Sequence, residues 1–160
     1  MTTPDTGPRL RPGDAAPEFT LTAADGTSVG LADLPAGPVI VYFFPKAFTP
    51  GCTTEACDFR DHRATLRRVG YSVVGISADR PERLAEFRDA NRIDYPLLSD
   101  LDHVAARSWG AYGPKVVNGE ATVGPLRSTF VLDADRVVQS AEYELDPNGH
   151  VSSLLTNLQS

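Results

Sequence analysis

At 160 residues, with 41% apolar and 22% charged side chains, the chain has the size and composition of one globular domain with a substantial core. Its 15 basic and 21 acidic residues leave a net charge of −6, so it offers no basic surface for nucleic acid or an anionic membrane. No apolar run reaches membrane-spanning length, and the polar, proline-rich stretch Met1 to Gly13 lacks the hydrophobic segment of a signal peptide. The expectation is a cytoplasmic protein with a flexible tail over residues 1–12 and a single domain over residues 13–160.

In chain order, Phe19 to Leu21 and Ser28 to Leu31 flank Ala24-Asp25-Gly26 and predict a hairpin. Val39 to Phe44 is a short continuous apolar run, the pattern of a strand covered on both faces. A helix is predicted from Thr53 to Val69, stopped by Gly70. Tyr71 to Ser77 reads as a second buried strand. Pro81 to Arg92 reads as a helix with proline in its first turn. A short strand over Pro96 to Leu98 and a short helix over Asp102 to Trp109 follow, then a glycine- and proline-rich loop from Gly110 to Pro125. Ser128 to Leu132 and Val137 to Tyr143 pair around Asp133-Ala134-Asp135, and a helix over His150 to Leu158 closes the chain. This succession predicts an α/β domain: a central mixed sheet flanked by helices, with an N-terminal hairpin.

The chemistry concentrates at Cys52, where the buried run ends and a helix begins; Cys57 is the only other cysteine. A helix N-terminus presents unpaired N–H groups and the positive end of the dipole, both of which favour thiolate over thiol. On the predicted helix, Ala56, Phe59, Leu66 and Val69 mark the buried stripe, and Cys52 projects close to it. Cys57 falls about 160° from the centre of that stripe, toward solvent. Helical residues five apart have Cα atoms roughly 8–9 Å apart, whereas a disulfide needs about 4.4–6.8 Å. A bond between these cysteines therefore requires the first turns of the helix to unwind. Zinc is disfavoured, because Cys52, Cys57 and His62 point in three directions. The Cys-x-x-Cys of a dithiol oxidoreductase is absent.

The runs Tyr42-Phe43-Phe44-Pro45-Lys46 and Thr49-Pro50-Gly51-Cys52-Thr53-Thr54-Glu55-Ala56-Cys57, joined to Trp109-Gly110, Lys115 and Arg127-Ser128-Thr129-Phe130, resemble peroxiredoxins of the bacterioferritin-comigratory (PrxQ) type. The likeness extends from Gly13 onward. Ala47-Phe48 stands where a more polar pair is expected, and Val116 to Leu126 matches poorly between its glycines. The resemblance implies a thioredoxin-like fold and a thiol peroxidase for hydrogen peroxide and organic hydroperoxides. It casts Cys52 as the peroxidatic nucleophile and Cys57 as the resolving thiol, with thioredoxin or a similar dithiol as reductant. Arg127 would hold the thiolate, Thr49 would orient the peroxide, and Pro45 would shield the pocket. Glu55 reads either as a residue that orders the first helical turn or as a plain partner of the helix N-terminus. No cofactor or metal is expected. His62, His103 and His150 are assigned no role, Trp109 and Tyr112 are expected to pack, and a monomer, or at most a weak homodimer, is anticipated. Two alternatives stay open: a redox sensor relaying the same disulfide to a partner, and a non-catalytic interaction module with inert thiols.

Overall fold

The computed structural model describes residues 9–117 and 119–159. Most of the expected tail, residues 1–8, lies outside them. Arg9 is ion-paired with Glu144 and the Leu10 amide donates to the Tyr143 hydroxyl at 2.7 Å, so these two residues are tied to the body.

The chain begins with the hairpin β1 (Thr20–Ala23) and β2 (Ser28–Gly30), followed by β3 (Val39–Phe43). Helices α1 (Pro50–Asp61) and α2 (Arg63–Arg68) lead to β4 (Ser72–Ser77), α3 (Pro81–Asn91), β5 (Leu97–Ser99) and α4 (Val104–Ser108). The ribbon β6 (Tyr112–Val117) and β7 (Glu120–Pro125) precedes β8 (Ser128–Leu132), β9 (Val138–Glu142) and α5 (His150–Gln159). Seven strands form one mixed sheet in the order β2-β1-β5-β4-β3-β8-β9, in which β3, β4 and β5 run parallel. The fold class is the one expected, α/β with helices covering a mixed sheet.

Strand β3 explains the layering. Its residues are all buried, and alternate side chains enter two separate cores. Val39, Val41 and Phe43 pack with Trp109 and Phe130 on one face. Ile40 and Tyr42 pack with Ala56 and Phe59 of α1, Phe87 of α3 and Leu154 of α5 on the other. Each such side chain contributes about 1.5–3 kcal/mol. The strand is thus held from both sides, and the residues that follow its C-terminal end leave the sheet from a rigid base.

Three expectations need correction. The first helix starts earlier, at Pro50, and is interrupted at His62 (φ −97°, ψ 5°). The His62 ring Nδ1 donates to the Asp58 carbonyl at 2.8 Å, sharing an acceptor with its own backbone N–H, and the helix bends there. In consequence Val69 is 38% exposed instead of continuing the buried stripe. The segment read as loop, Gly110 to Pro125, instead forms the β6–β7 ribbon, paired from Tyr112↔Pro125 to Val117↔Glu120. A two-stranded ladder uses main-chain bonds and leaves Val116 and Val123 exposed, so no hydrophobic periodicity announces it.

Candidate active site

The site is built where β3 runs out. Past Phe44 the chain passes Pro45 and Lys46, and the Ala47 amide donates to Asp79 Oδ2 at 2.8 Å, anchoring the loop to the end of β4. Phe48 has φ +68°, a left-handed conformation that costs an aromatic residue of order 1–3 kcal/mol. It is held by an edge-on contact with Phe87 (5.3 Å) and by the Arg83 guanidinium 4.2 Å from its ring centre. That turn brings Thr49 to the N-cap of α1 in extended conformation and Pro50 to the first helical position, where its missing N–H costs nothing. The Thr49 hydroxyl makes no cap bond; it donates to the Lys46 carbonyl at 2.7 Å.

Cys52 follows in the first turn and is 1% exposed. Arg127, entering from just before β8, places Nη2 3.4 Å from the Cys52 sulfur and Nη1 2.7 Å from Glu55 Oε1. Glu55 is fully buried and its second oxygen has no hydrogen-bond partner among the described residues. Burial pushes its carboxyl up to about 7, against the pull of Arg127. Burial also works against the charge on Arg127, but Cys52 and Glu55 outweigh it and the guanidinium is held firmly protonated. Of the two partners, the carboxylate carries the cost of desolvation.

Gly51 explains itself at the same point. A Cβ there would lie 3.0 Å from Pro147 Cγ and 3.1 Å from Arg127 Nη2, so any larger residue would require Pro147 or the guanidinium to shift by a few tenths of an ångström. Beside this cluster a cavity of about 310 Å³ is lined by Pro45, Lys115, Leu126, Arg127 and Leu145. A larger cavity, about 410 Å³, is lined by Ala24, Thr27, Arg88 and Tyr95; neither cavity is lined by a cysteine, but the smaller one shares Arg127 with the Cys52 cluster.

Of the five residues singled out in the sequence, Pro45 and Arg127 line one cavity, Arg127 touches Cys52, and Thr49 caps the helix that carries Cys52. Cys57 stands apart. It is half-buried, its thiol donates to Asn91 Oδ1 at 3.7 Å, and burial pushes that thiol up, with Asp61 and Asp58 reinforcing and Arg60 opposing. Both cysteines are free thiols.

These features coincide with what comparison finds. The family model described as "AhpC/TSA family" matches residues 12–141, most of the chain and all of the site except the α5 side. The chain is a peroxiredoxin of the AhpC/TSA family. It is 52% identical over 150 residues to a putative peroxiredoxin of Mycobacterium tuberculosis (strain H37Rv), covering 94% of this chain and 96% of that one. Peroxiredoxin Bcp of Escherichia coli (strain K12) is 39% identical over the same share of each. Among solved structures, the bacterioferritin comigratory protein of Xanthomonas campestris, described for its alkyl peroxide reduction activity, superposes with a TM-score of 0.81 at 29% identity, covering 88% of this chain and 90% of that one. The peroxiredoxin fold is the thioredoxin-like one, and its chemistry is thiol-dependent peroxidase chemistry.

Three neighbours of Cys52 and Arg127 take places that residue order does not indicate. Glu55, expected to order the first helical turn or to serve the helix dipole, is the ion-pair partner of Arg127. Lys115, noted only within the resemblance, donates to the Pro125 carbonyl at 2.6 Å and faces the cavity, and burial lowers its affinity for a proton. Pro147 packs on Gly51 across the helix start. The small residue at Gly51, in a helix's first turn beside Cys52, was the one available signal. Trp109 is fully buried and packs among Phe19, Phe43 and Phe130, as expected. His150, unassigned from sequence, is buried with Nε2 2.8 Å from Thr129 Oγ1, a structural bond between α5 and β8. Among the described residues no group of three or more His, Cys, Asp or Glu could hold a metal, and no helix is long and apolar enough to cross a membrane.

Proposed function

We propose that Cys52 is the peroxidatic cysteine and Cys57 the resolving one, in a peroxidase that reduces hydrogen peroxide and organic hydroperoxides and is recycled by thioredoxin or a similar dithiol. The observation that carries the reading is the Arg127 guanidinium 3.4 Å from a sealed sulfur in the first turn of α1. Attack requires thiolate. A permanent charge at contact distance, joined to the helix N-terminus, is the arrangement that holds one without water.

The Cys52 sulfur attacks one peroxide oxygen; the O–O bond breaks and the departing oxygen leaves as water or alcohol after taking a proton. The Thr49 hydroxyl has a single proton, and that proton is engaged with the Lys46 carbonyl. Its free lone pairs therefore accept from the peroxide O–H and orient it. Arg127 faces the charge that develops on the peroxide oxygens. Pro45, with no N–H, walls the pocket without attracting water. The adjoining cavity is mixed in character, with Leu126 and Leu145 offering apolar contact beside the charged Lys115, Arg127 and Glu144. The thiol chemistry needs no bound cofactor. Cys52 sulfenic acid then condenses with the Cys57 thiol: the S–S bond forms, the S–O bond breaks, and hydroxide departs with the thiol proton as water. Two free thiols in a working pair suit a reducing compartment, and we place the protein in the cytoplasm.

One equivalent of hydrogen peroxide added to the reduced protein, followed within seconds by intact mass, tests the assignment. The expected result is loss of two hydrogens in the wild type and one added oxygen in Cys57→Ser. Added oxygen on the wild type without disulfide removes Cys57 from its role. An unmodified Cys52 removes the whole reading. Steady peroxide consumption with a thioredoxin system then tests the reductant.

A further inference from the structure

The Cys57 side of α1 rests on the turn between α3 and β5, and the contacts there are concentrated on the segment that disulfide formation must move. The Tyr95 hydroxyl donates to the Ala56 carbonyl at 2.9 Å, while the Tyr42 hydroxyl lies 2.7 Å from Tyr95. Both tyrosines are buried, at 3% and 0% exposure, and Tyr42 stacks on Phe59 of the same helix. One residue on, the Cys57 thiol donates to Asn91 Oδ1. The Asn91 amide is itself oriented, because Nδ2 donates to the Phe87 carbonyl at 3.0 Å. Arg60 Nη1 reaches the Asn91 carbonyl at 2.6 Å, and Arg63 pairs with Asp94. In the same turn Arg92 closes α3 in the left-handed conformation and Ile93 is buried.

The Ala56–Cys57 peptide lies between the two sulfurs, and Cys57 cannot reach Cys52 while it stays helical. A buried hydroxyl holding that peptide's carbonyl, and an amide holding the thiol itself, act on the same motion. We propose that Asn91 and Tyr95 are positioning residues that latch α1 in its helical form, so that their release sets the rate at which Cys52 sulfenic acid is resolved and hence its exposure to a second peroxide. The proposal rests on Cys57 being the resolving thiol. Burial, which pushes the latched thiol up, agrees with it: while held against Asn91, Cys57 is a protonated donor and a poor nucleophile. Release both frees the backbone and exposes the sulfur to water.

Asn91→Ala, Tyr95→Phe and the double variant, compared with wild type, test it. After a single peroxide pulse, sulfenic acid is trapped with dimedone over time, and sulfinic acid is counted by mass after a titration with excess peroxide. Loss of one hydrogen bond shifts such an equilibrium about five- to tenfold. Each single variant should therefore resolve its sulfenic acid faster by about that factor, and should need correspondingly more peroxide to reach half-maximal sulfinic acid. The second-order rate of the first step should stay at the wild-type value. A purely structural role would lower melting temperature and slow both steps, and would not produce this split. Resolution at or below the wild-type rate in either folded variant overturns the latch. Should Tyr95→Phe fail to fold, Asn91→Ala alone decides, since Asn91 is only half-buried at the end of α3. A wild type that forms no intramolecular disulfide overturns the resolving role of Cys57, and the latch with it. That outcome is read on the wild type alone and is distinct from a wild type that resolves normally beside unchanged variants.

Discussion

At its N-terminal end α1 seals the Cys52 sulfur from solvent and holds it 3.4 Å from the Arg127 guanidinium, whereas five residues later the Cys57 thiol is half-exposed and meets a neutral amide. The first end is closed by groups from distant parts of the chain: Arg127 from β8's approach, Pro147 ahead of α5, and the Asp79-anchored loop before the helix. The second is held by one turn, Asn91 to Tyr95. Two identical functional groups on one helix thus differ by what the tertiary structure brings to each. A guanidinium and burial surround one sulfur; a side-chain amide and partial exposure surround the other.

The comparison breaks if the two thiols respond alike to loss of the guanidinium. Arg127→Met should lower the second-order rate of Cys52 with hydrogen peroxide by about 10²–10³-fold. Alkylation of Cys57 by iodoacetamide in the same protein should keep its rate, and an equal loss at both sulfurs would show that Arg127 acts through the fold. A subtler asymmetry lies in pH dependence. The Glu55 carboxyl is raised from 4.5 to about 7 in the folded chain. A raised carboxyl binds its proton more tightly folded than unfolded, so the stability it contributes is complete below pH 4.5 and is lost as pH rises through about 7. Denaturant unfolding of the Cys52→Ser protein, which removes thiol chemistry, should show stability falling between pH 5 and 8 by up to roughly 3 kcal/mol. Adding Glu55→Gln should flatten that slope; a slope unchanged by the substitution would place the ionisation elsewhere. The smallest effect is expected at Gly51. Gly51→Ala should push the Arg127 guanidinium off the sulfur and slow peroxide reduction by about tenfold, or ~1.4 kcal/mol, with disulfide formation unaltered. A wild-type rate would mean that Pro147 yields instead.

Much of this was legible from residue order. The buried strand ending at Phe44, the helix carrying both cysteines and the hairpin Ser128 to Tyr143 all announce themselves by periodicity and punctuation, and the structure places them within a few residues. The different surroundings of Cys52 and Cys57 also follow from helical angle alone. The β6–β7 ribbon escaped because its stability lies in main-chain pairing and not in buried side chains. The interruption at His62 escaped because the apolar pattern runs on through Leu66 while the ring Nδ1 shares the Asp58 carbonyl with the backbone N–H, a local contact that periodicity does not register.

By itself the sequence determined the order of most elements, the location of Cys52 at a helix start, and the need for that helix to unwind before the two thiols could join. All three depend on local geometry: strand and helix periods, turn residues, and the fixed rise of a helix. Tertiary structure alone decided that Glu55 is the partner of Arg127, 72 residues away, that Pro147 crowds position 51, and that Asn91 and Tyr95 hydrogen-bond to the Cys57 thiol and the Ala56 carbonyl. Such pairings cross the chain between segments that carry no mutual signal in one sequence, and only packing of the sheet and its helices brings them within the few ångströms over which charge, contact and hydrogen bonds act.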